Sequence, residues 1–241
     1  MSEHRIGTQE EWQQARDALL SEEKELTRRG DELAKQRREL PWVAVEEDYR
    51  FESEAGTKTL ADLFDGRSQL LVYHFMYGPP YEGGCPVCSS ITDTLAAQVP
   101  HLQARDTTLL LASRAPLEKL LAYKQRMGWD IDWVSTVGSD FNRDLGFMNT
   151  EEELRPFLEG VIPPTVEQNA RMCATDAKGY VTEGPGLSAY ALSNGTVYRT
   201  YVTTRRGLEP AMAYYALLDR TPKGRSESAT EPLWVRRHDE Y

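Results

Sequence analysis

The sequence contains few cysteines and no long hydrophobic segment. Three cysteines in 241 residues are too few for a scaffold held together by disulfides. The longest apolar stretch covers 70–77 and is interrupted by His74, so it falls well short of the roughly 20 residues that cross a bilayer. The start, MSEHRIGTQEEW, lacks the apolar stretch of a secretory signal. We therefore expect a cytoplasmic protein without a membrane anchor, in which two neighbouring cysteines indicate redox or metal chemistry.

Positive charge is also scarce. The 28 lysines and arginines are outnumbered by 38 aspartates and glutamates, which gives a net charge of −10. An acidic surface repels phosphate, so neither nucleic acid nor an anionic membrane is an expected partner. The hydrophobic fraction of 40% is ordinary for a globular protein, and the length suits one large domain or one domain with additions.

Residues 1–41 are predicted to form an N-terminal helical arm. Thr8 and Glu11 have the spacing of a capping box at a helix start. The pair Gly30-Asp31 is a pattern that divides a helix in two. A single apolar stripe, too narrow for a coiled coil, fits either packing on the same domain or a homodimer contact. The stripe consists of Trp12, Leu19, Leu26, Leu33 and Leu40.

The segment 42–220 alternates between apolar strand patterns and helical patterns. A hairpin is expected within 42–60, strands at 69–77, 107–112, 131–136, 188–193 and 196–203, and helices at 85–98, 116–127, 140–145 and 208–218. Asn194-Gly195 between the last two strands is a strong hairpin signal. This order, with a CxxC motif after the first core strand, predicts an α/β, thioredoxin-like fold of the peroxiredoxin-like branch, in which helices flank a mixed sheet.

Two regions lie outside that plan. Residues 146–186 have no clear period and are interpreted as an insertion before the C-terminal hairpin. Residues 221–241 are interpreted as a polar tail, of which the apolar segment 233–235 docks on the domain.

The strongest chemical signal is the motif Cys85-Pro86-Val87-Cys88 at a predicted helix start. Unpaired N–H groups and the helix dipole stabilise a thiolate at Cys85 and lower its pKa. Cys85 is therefore the expected exposed nucleophile, and Cys88 is placed to attack a mixed disulfide formed there. Pro86 suits the first helical turn, and Val87 adds no charge. Two inert buried thiols, or half of a zinc site that needs distant ligands such as Cys173, are the alternatives.

Other residues are predicted to support the pair. Tyr77 and Tyr81 flank the cysteine loop and either shape a substrate surface or cover the end of the sheet. His74 either orients Cys85 or is a hydrogen-bonded core histidine. Arg114 follows the second core strand, at the sheet edge where ligands bind, and either stabilises a thiolate or anionic substrate or forms a surface ion pair.

Four segments carry a family resemblance. They are EEWQQARDALLSEEKELTRRGDELAKQRRELPWV, LADLFDGRSQLLVYHFMYGPPYEGGCPVCS, SRAPLEKLLAYKQRMGWDIDWVSTVGSDFN, and RGLEPAMAYYALLDRTPKGR with the tail WVRRHDEY. They resemble the bacterial family called domain of unknown function 899, thioredoxin-like proteins often described as predicted dithiol-disulfide oxidoreductases. The resemblance covers most of the chain outside 146–186 and implies a thioredoxin-like fold with a redox role.

The chain departs from related families at two places. Thioredoxins have a cis-proline just before the strand that faces the CxxC motif, and Leu187 occupies that position here. Peroxiredoxins carry proline and threonine seven and three residues before the reactive cysteine, where this chain has Gly78 and Glu82. A carboxylate at Glu82 opposes a nearby thiolate, which weakens the peroxidase interpretation.

The sequence thus predicts a thiol–disulfide oxidoreductase with Cys85 as nucleophile and Cys88 as resolving thiol. Its substrate is a protein or small-molecule disulfide, its reductant is an unidentified thiol, and neither cofactor nor metal is expected. Cys173 is either an additional resolving thiol or a structural cysteine. The alternatives are a thiol peroxidase on the same fold, and a non-catalytic redox-sensing protein that recruits a partner through its arm and insertion.

Overall fold

The computed structural model describes residues 4–225 and 234–241, and the chain divides into two units at Pro41–Trp42. The first unit contains helix α1 (Gln9–Arg38). Its capping box is confirmed, because the Thr8 hydroxyl accepts from the Glu11 N–H at 3.2 Å and the Glu11 carboxylate accepts from the Thr8 N–H at 2.8 Å. The helix continues through Gly30, so the predicted division there is wrong. One glycine inside a helix costs only about 1 kcal/mol.

The second unit is a mixed α/β domain. Its strands are β1 (Val43–Ala44), β2 (Arg50–Ser53), β3 (Gly56–Thr59), β4 (Gln69–His74), β5 (Thr107–Ser113), β6 (Asp132–Ser135), β7 (Gly186–Ser193) and β8 (Thr196–Thr204). Its α-helices are α2 (Pro86–Gln103), α3 (Leu117–Met127), α4 (Phe141–Asp144), α5 (Glu151–Leu158), α6 (Pro164–Met172), α7 (Ala177–Val181) and α8 (Ala213–Leu218). Short 3-10 helices lie at Asp62–Phe64, Arg205–Ala211 and His238–Glu240.

The strands form one sheet in the order β1-β8-β7-β4-β5-β6-β2-β3. β4, β5 and β6 are parallel, β7 runs antiparallel to β4, and α2 follows β4, the first strand of the parallel group. This is the predicted thioredoxin-like arrangement. The predicted N-terminal hairpin is shorter than expected: β2 and β3 form it, whereas Val43 pairs with Arg199 at the opposite edge of the sheet.

Two turns have the backbone conformation that their residues predict. Asn194 and Gly195 have φ values of +50° and +78°, which suit the tight hairpin turn between β7 and β8. Gly128 ends α3 in the left-handed conformation, at φ 64°, as a C-terminal glycine does. In the described part of the chain, no helix combines the length and apolar character needed to cross a membrane.

The sheet carries a core on each face. Tyr73 and Phe75 point to the face covered by α2 and α3, whereas Val72 lies in the core of the other face with Phe141. Strand β4 ends at His74, three residues earlier than predicted, and the buried segment that follows leads into the cysteine loop. The Phe75 N–H still donates to the Ala112 carbonyl at 3.0 Å, so the backbone stays anchored to β5.

The insertion 146–186 folds into α5, α6 and α7, three helices that were not predicted from the sequence. α5 begins with a capping box in which Thr150 and Glu153 bond to each other's backbone N–H, and Asp176 caps α7. The acidic run at 151–153 therefore starts a helix.

The C-terminal tail packs on the domain through two residues of the predicted docking segment. Val235 is fully buried, and the Trp234 ring packs on Tyr214 with centroids 5.9 Å apart. The third residue of that segment, Leu233, lies outside the described residues.

Candidate functional site

The cysteine loop joins the buried end of β4 to the first turn of α2. Cys85 is the N-cap of α2 and Pro86 its first residue, as the motif predicted. The Cys85 N–H donates to the Met76 carbonyl at 3.2 Å, which folds the loop back on the strand. A Cβ atom at Gly84 would lie 2.8 Å from the rings of Phe75 and Tyr123, so only glycine fits immediately before the first cysteine.

Three thiols meet beneath this loop. Cys85, Cys88 and Cys173 expose 2%, 1% and 0% of their surface and lie in the same core. Cys173 ends α6, and its carbonyl accepts from the N–H groups of Glu82 at 3.1 Å and Gly83 at 3.2 Å. The prediction of an exposed Cys85 is therefore wrong, because the insertion packs against the loop and buries the thiol.

Cys85 is the thiol of this cluster that ionises most readily. Hydrogen bonds from the thiols of Cys173 and Cys88, together with the N–H groups at the start of α2, hold its pKa well below the ordinary value and outweigh the cost of burial. Burial, reinforced by the neighbouring Cys85 charge, raises the pKa of Cys88. The hydrogen bond to Cys85 raises the pKa of Cys173, and burial adds to it.

We expect one thiol to titrate well below the ordinary cysteine pKa of about 8.5 in the reduced protein, and that signal to be missing from Cys85→Ser. A depressed pKa contributes stability that is present above the unfolded-state pKa and is lost as the pH falls through the folded-state pKa. Ultraviolet thiolate absorbance, followed against pH in both proteins, measures it. A wild-type curve that shows only ordinary thiols would contradict the assignment.

Tyr73 reaches the cluster from the central strand. Its side chain is fully buried on the cysteine face, and its hydroxyl makes no hydrogen bond to nitrogen or oxygen. The hydroxyl faces Cys88 and favours the charged form of that thiol. Tyr73 was not predicted from the sequence; its alternation with His74 along the strand was the available signal, since it puts the two side chains on opposite faces.

The chain matches a protein-family model along its whole length. That model is described as "Bacterial protein of unknown function (DUF899)" and covers residues 1–241. The chain belongs to this family. Among curated proteins, none matches it.

This DUF899 protein is also similar to several solved structures. PrxQ from Xylella fastidiosa, solved as a mutant, is 12% identical over 73% of this chain and 94% of its own, with a TM-score of 0.45. Peroxidoxin BcpB from Mycobacterium tuberculosis is 10% identical over 72% and 93%, with a TM-score of 0.45. The mitochondrial 2-cys peroxiredoxin from Plasmodium falciparum is 13% identical over 78% and 97%, with a TM-score of 0.43. The activities in these descriptions belong to those proteins.

The predicted tyrosines lie beside the thiols of the DUF899 protein but are buried. Tyr81 donates to the Tyr180 carbonyl at 2.7 Å, and the two rings stack with centroids 6.1 Å apart. Tyr77 packs on Tyr81, with the two ring centroids 6.4 Å apart. Burial raises the pKa of Tyr180, and the nearby charge of Cys85 raises it further. The tyrosines thus cover the end of the sheet and hold α7 over the cysteines.

Of the predicted residues Leu187 and His74, only Leu187 lies on the face of the sheet that carries the thiols. Leu187 lies opposite Tyr73 in β7 and packs against the cysteine core. His74 lies on the other face, 2.8 Å from the Ser188 hydroxyl and against Phe147 at 4.4 Å, and burial lowers its pKa to about 3. The structure therefore does not bring His74 to Cys85.

Arg114 and Arg237 each bond to a residue of the insertion. Arg114 forms an ion pair at 2.6 Å with Glu183, whose side chain is buried. Arg237 donates to the carbonyls of Gly84 at 2.8 Å and Met172 at 2.6 Å, directly before Cys85 and Cys173 respectively. Arg237 was not predicted from the sequence, because nothing in a polar tail distinguishes this buried arginine from its neighbours. Within 4–225 and 234–241, no group of three or more His, Cys, Asp or Glu side chains is arranged to hold a metal.

Proposed function

We propose that this DUF899 protein is a thiol–disulfide oxidoreductase in which Cys85 is the nucleophile and Cys88 the resolving thiol. One observation carries the proposal: Cys85 is the N-cap residue of α2 and lies in one buried core with two other thiols that lower its pKa, so it is the thiol held as a thiolate. A thiolate is the attacking species in disulfide exchange, and a neighbouring protonated thiol completes the reaction.

Disulfide exchange at Cys85 takes place in two steps. The Cys85 thiolate attacks one sulfur of a substrate disulfide, a mixed disulfide forms, and the first substrate thiolate leaves and takes up a proton. Cys88 then loses its proton and attacks the Cys85 sulfur, which releases the second substrate thiol. The Tyr73 hydroxyl stabilises Cys88 as it ionises. Two electrons pass to the substrate, and a thiol reductant returns the Cys85–Cys88 disulfide to two thiols.

A redox titration tests this assignment. We expect a reversible two-electron transition in thiol/disulfide buffers, with Cys85 and Cys88 found in one linked peptide after alkylation and mass analysis, at a potential within about −120 to −270 mV. Cys85→Ser should abolish both the transition and the reduction of a model disulfide. A protein whose Cys85 thiol stays free across all buffers, or a Cys85→Ser variant of full activity, would refute the proposal.

The burial of Cys85 favours one second candidate, a thiol peroxidase, because a peroxide is smaller than a disulfide. The Cys85 thiolate would attack a peroxide oxygen to give a sulfenic acid and an alcohol or water, and a second thiol would then form a disulfide with loss of water. Glu82 does not block this chemistry, since its carboxylate is exposed and lies 3.6 Å from Lys119. A peroxide reaction at Cys85 no faster than that of a free thiol at matched pH would exclude it.

A further inference from the structure

The third cysteine is held against the loop that carries Cys85. Two backbone hydrogen bonds join the Cys173 carbonyl to Glu82 and Gly83, and Arg237 bridges the carbonyls of Met172 and Gly84. These bonds fix the backbone immediately before each cysteine. The Cys173 side chain is fully buried in the same core as Cys85, and each of these two thiols shifts the pKa of the other. Cys85 therefore has a thiol neighbour on the insertion as well as the one in its own helix.

We infer that Cys173 is a second resolving thiol, which attacks a mixed disulfide at Cys85 and forms an alternative Cys85–Cys173 disulfide. This inference rests on the proposed function. It makes the insertion part of the reaction, since the insertion contributes one of the sulfur atoms that react. It also gives the protein two mutually exclusive oxidised forms, in which Cys85 is joined either to α2 or to the end of α6.

The electrostatics change in favour of Cys173 once Cys85 has reacted. In the reduced protein the neighbouring Cys85 thiolate is the main cause of the raised pKa of Cys173. A mixed disulfide at Cys85 carries no charge, so the main cause of the raised Cys173 pKa disappears. The positive charge of Arg237 remains and favours the Cys173 thiolate. Burial raises the pKa of both thiols and persists after Cys85 has reacted, but it is the main cause only for Cys88.

The step conserves atoms and electrons. Cys173 loses its proton to the departing substrate thiolate, its sulfur bonds to the Cys85 sulfur, and the bond between Cys85 and the substrate breaks. The protein is oxidised by two electrons and the substrate disulfide is reduced to two thiols. Attack by Cys88 on the Cys85–Cys173 disulfide then gives Cys85–Cys88 and frees Cys173 without any further change in oxidation state.

The decisive experiment treats Cys88→Ser and the double variant Cys88→Ser/Cys173→Ala with glutathione disulfide, followed by alkylation and peptide mapping. In Cys88→Ser we expect a Cys85–Cys173-linked peptide. In the double variant we expect glutathione to remain on Cys85, with a lifetime longer by a factor on the order of 100, because an oriented neighbouring thiol is missing. The linked peptide in Cys88→Ser decides the question by itself, so the result does not depend on how well the double variant folds.

The outcomes separate the two proposals. If wild type forms Cys85–Cys88 but Cys88→Ser keeps glutathione on Cys85, or does not react, the inference about Cys173 fails and the oxidoreductase proposal stands. If wild type forms no disulfide at Cys85, both fail. Cys173→Ala in an otherwise wild-type chain should form Cys85–Cys88 more slowly, because it loses both the second resolving thiol and the thiol that lowers the pKa of Cys85. A rate equal to that of wild type would contradict a reactive role for Cys173.

Discussion

Replacing Arg237 with methionine is expected to lower the free energy of unfolding by about 3–5 kcal/mol and to expose the thiols to alkylation. The Arg237 guanidinium is buried and donates to the Gly84 and Met172 carbonyls and to the Tyr123 hydroxyl at 2.7 Å. Methionine keeps much of the volume but donates nothing, so the buried Gly84 and Met172 carbonyls lose the side chain that donates to them, whereas Tyr123 keeps its bond to Ser89. An unsatisfied buried acceptor costs about 1–3 kcal/mol, which makes the loss large.

The exposure follows from where these carbonyls lie. One precedes Cys85 and the other precedes Cys173, so Arg237 clamps the cysteine loop to the insertion. Without the clamp, we expect the insertion to open more often, and Cys85 to react faster with iodoacetamide under native conditions. Urea unfolding measures the stability, and mass analysis of alkylated peptides measures the exposure.

Two variants serve as controls for the Arg237 prediction. Arg237→Lys keeps the charge but loses the planar fork of donors, so it should fall between wild type and Arg237→Met in both measurements. Arg155→Met removes an exposed arginine from α5 and should change stability by no more than about 0.5 kcal/mol. The clamp would be disproved if Arg237→Met matched Arg155→Met in stability and left alkylation of Cys85 at the wild-type rate.

The local sequence signals predicted most of the central fold. Apolar runs located β4 and β5, Asn194-Gly195 located the β7–β8 turn, and the CxxC motif located the start of α2. Each of these signals depends on residues that are neighbours along the chain. The family resemblance supported the prediction of the same elements, and the family is confirmed over the whole chain.

The site was harder to predict because its parts come together only through tertiary contacts. Cys173 and Arg237 are distant from Cys85 along the chain, and their roles depend on backbone carbonyls, which have no sequence signature. The helices of the insertion are short, so no hydrophobic period develops within them. Their caps were visible all the same: Thr150 with Glu153 is a capping box of the kind recognised at Thr8 and Glu11.

The contact of Arg114 with Glu183 makes stability depend on pH in a specific direction. The Glu183 carboxyl is buried where Gly78 leaves room for it: a Cβ atom at Gly78 would lie 2.6 Å from Oε1. Burial raises the pKa of Glu183 to about 7, although the Arg114 guanidinium at 2.6 Å opposes the shift. Burial raises the pKa of Tyr81, and the Glu183 charge raises it further. A raised folded-state pKa gives stability that is present below the unfolded-state pKa and is lost as the pH rises through the folded-state pKa.

We therefore expect wild type to lose roughly 3 kcal/mol of stability relative to Glu183→Gln between about pH 4.5 and pH 7.5. Glutamine cannot ionise, so the variant lacks this dependence, and its weaker bond to Arg114 adds only a constant offset. Urea unfolding of both proteins at closely spaced pH values gives the difference, in which the other titrating groups cancel. Glu153→Gln is the control of opposite sign: the capping box lowers the pKa of Glu153, so its contribution is lost as the pH falls. Parallel curves for wild type and Glu183→Gln across this range would show that Glu183 is ionised throughout, and that the insertion is held by a permanent ion pair.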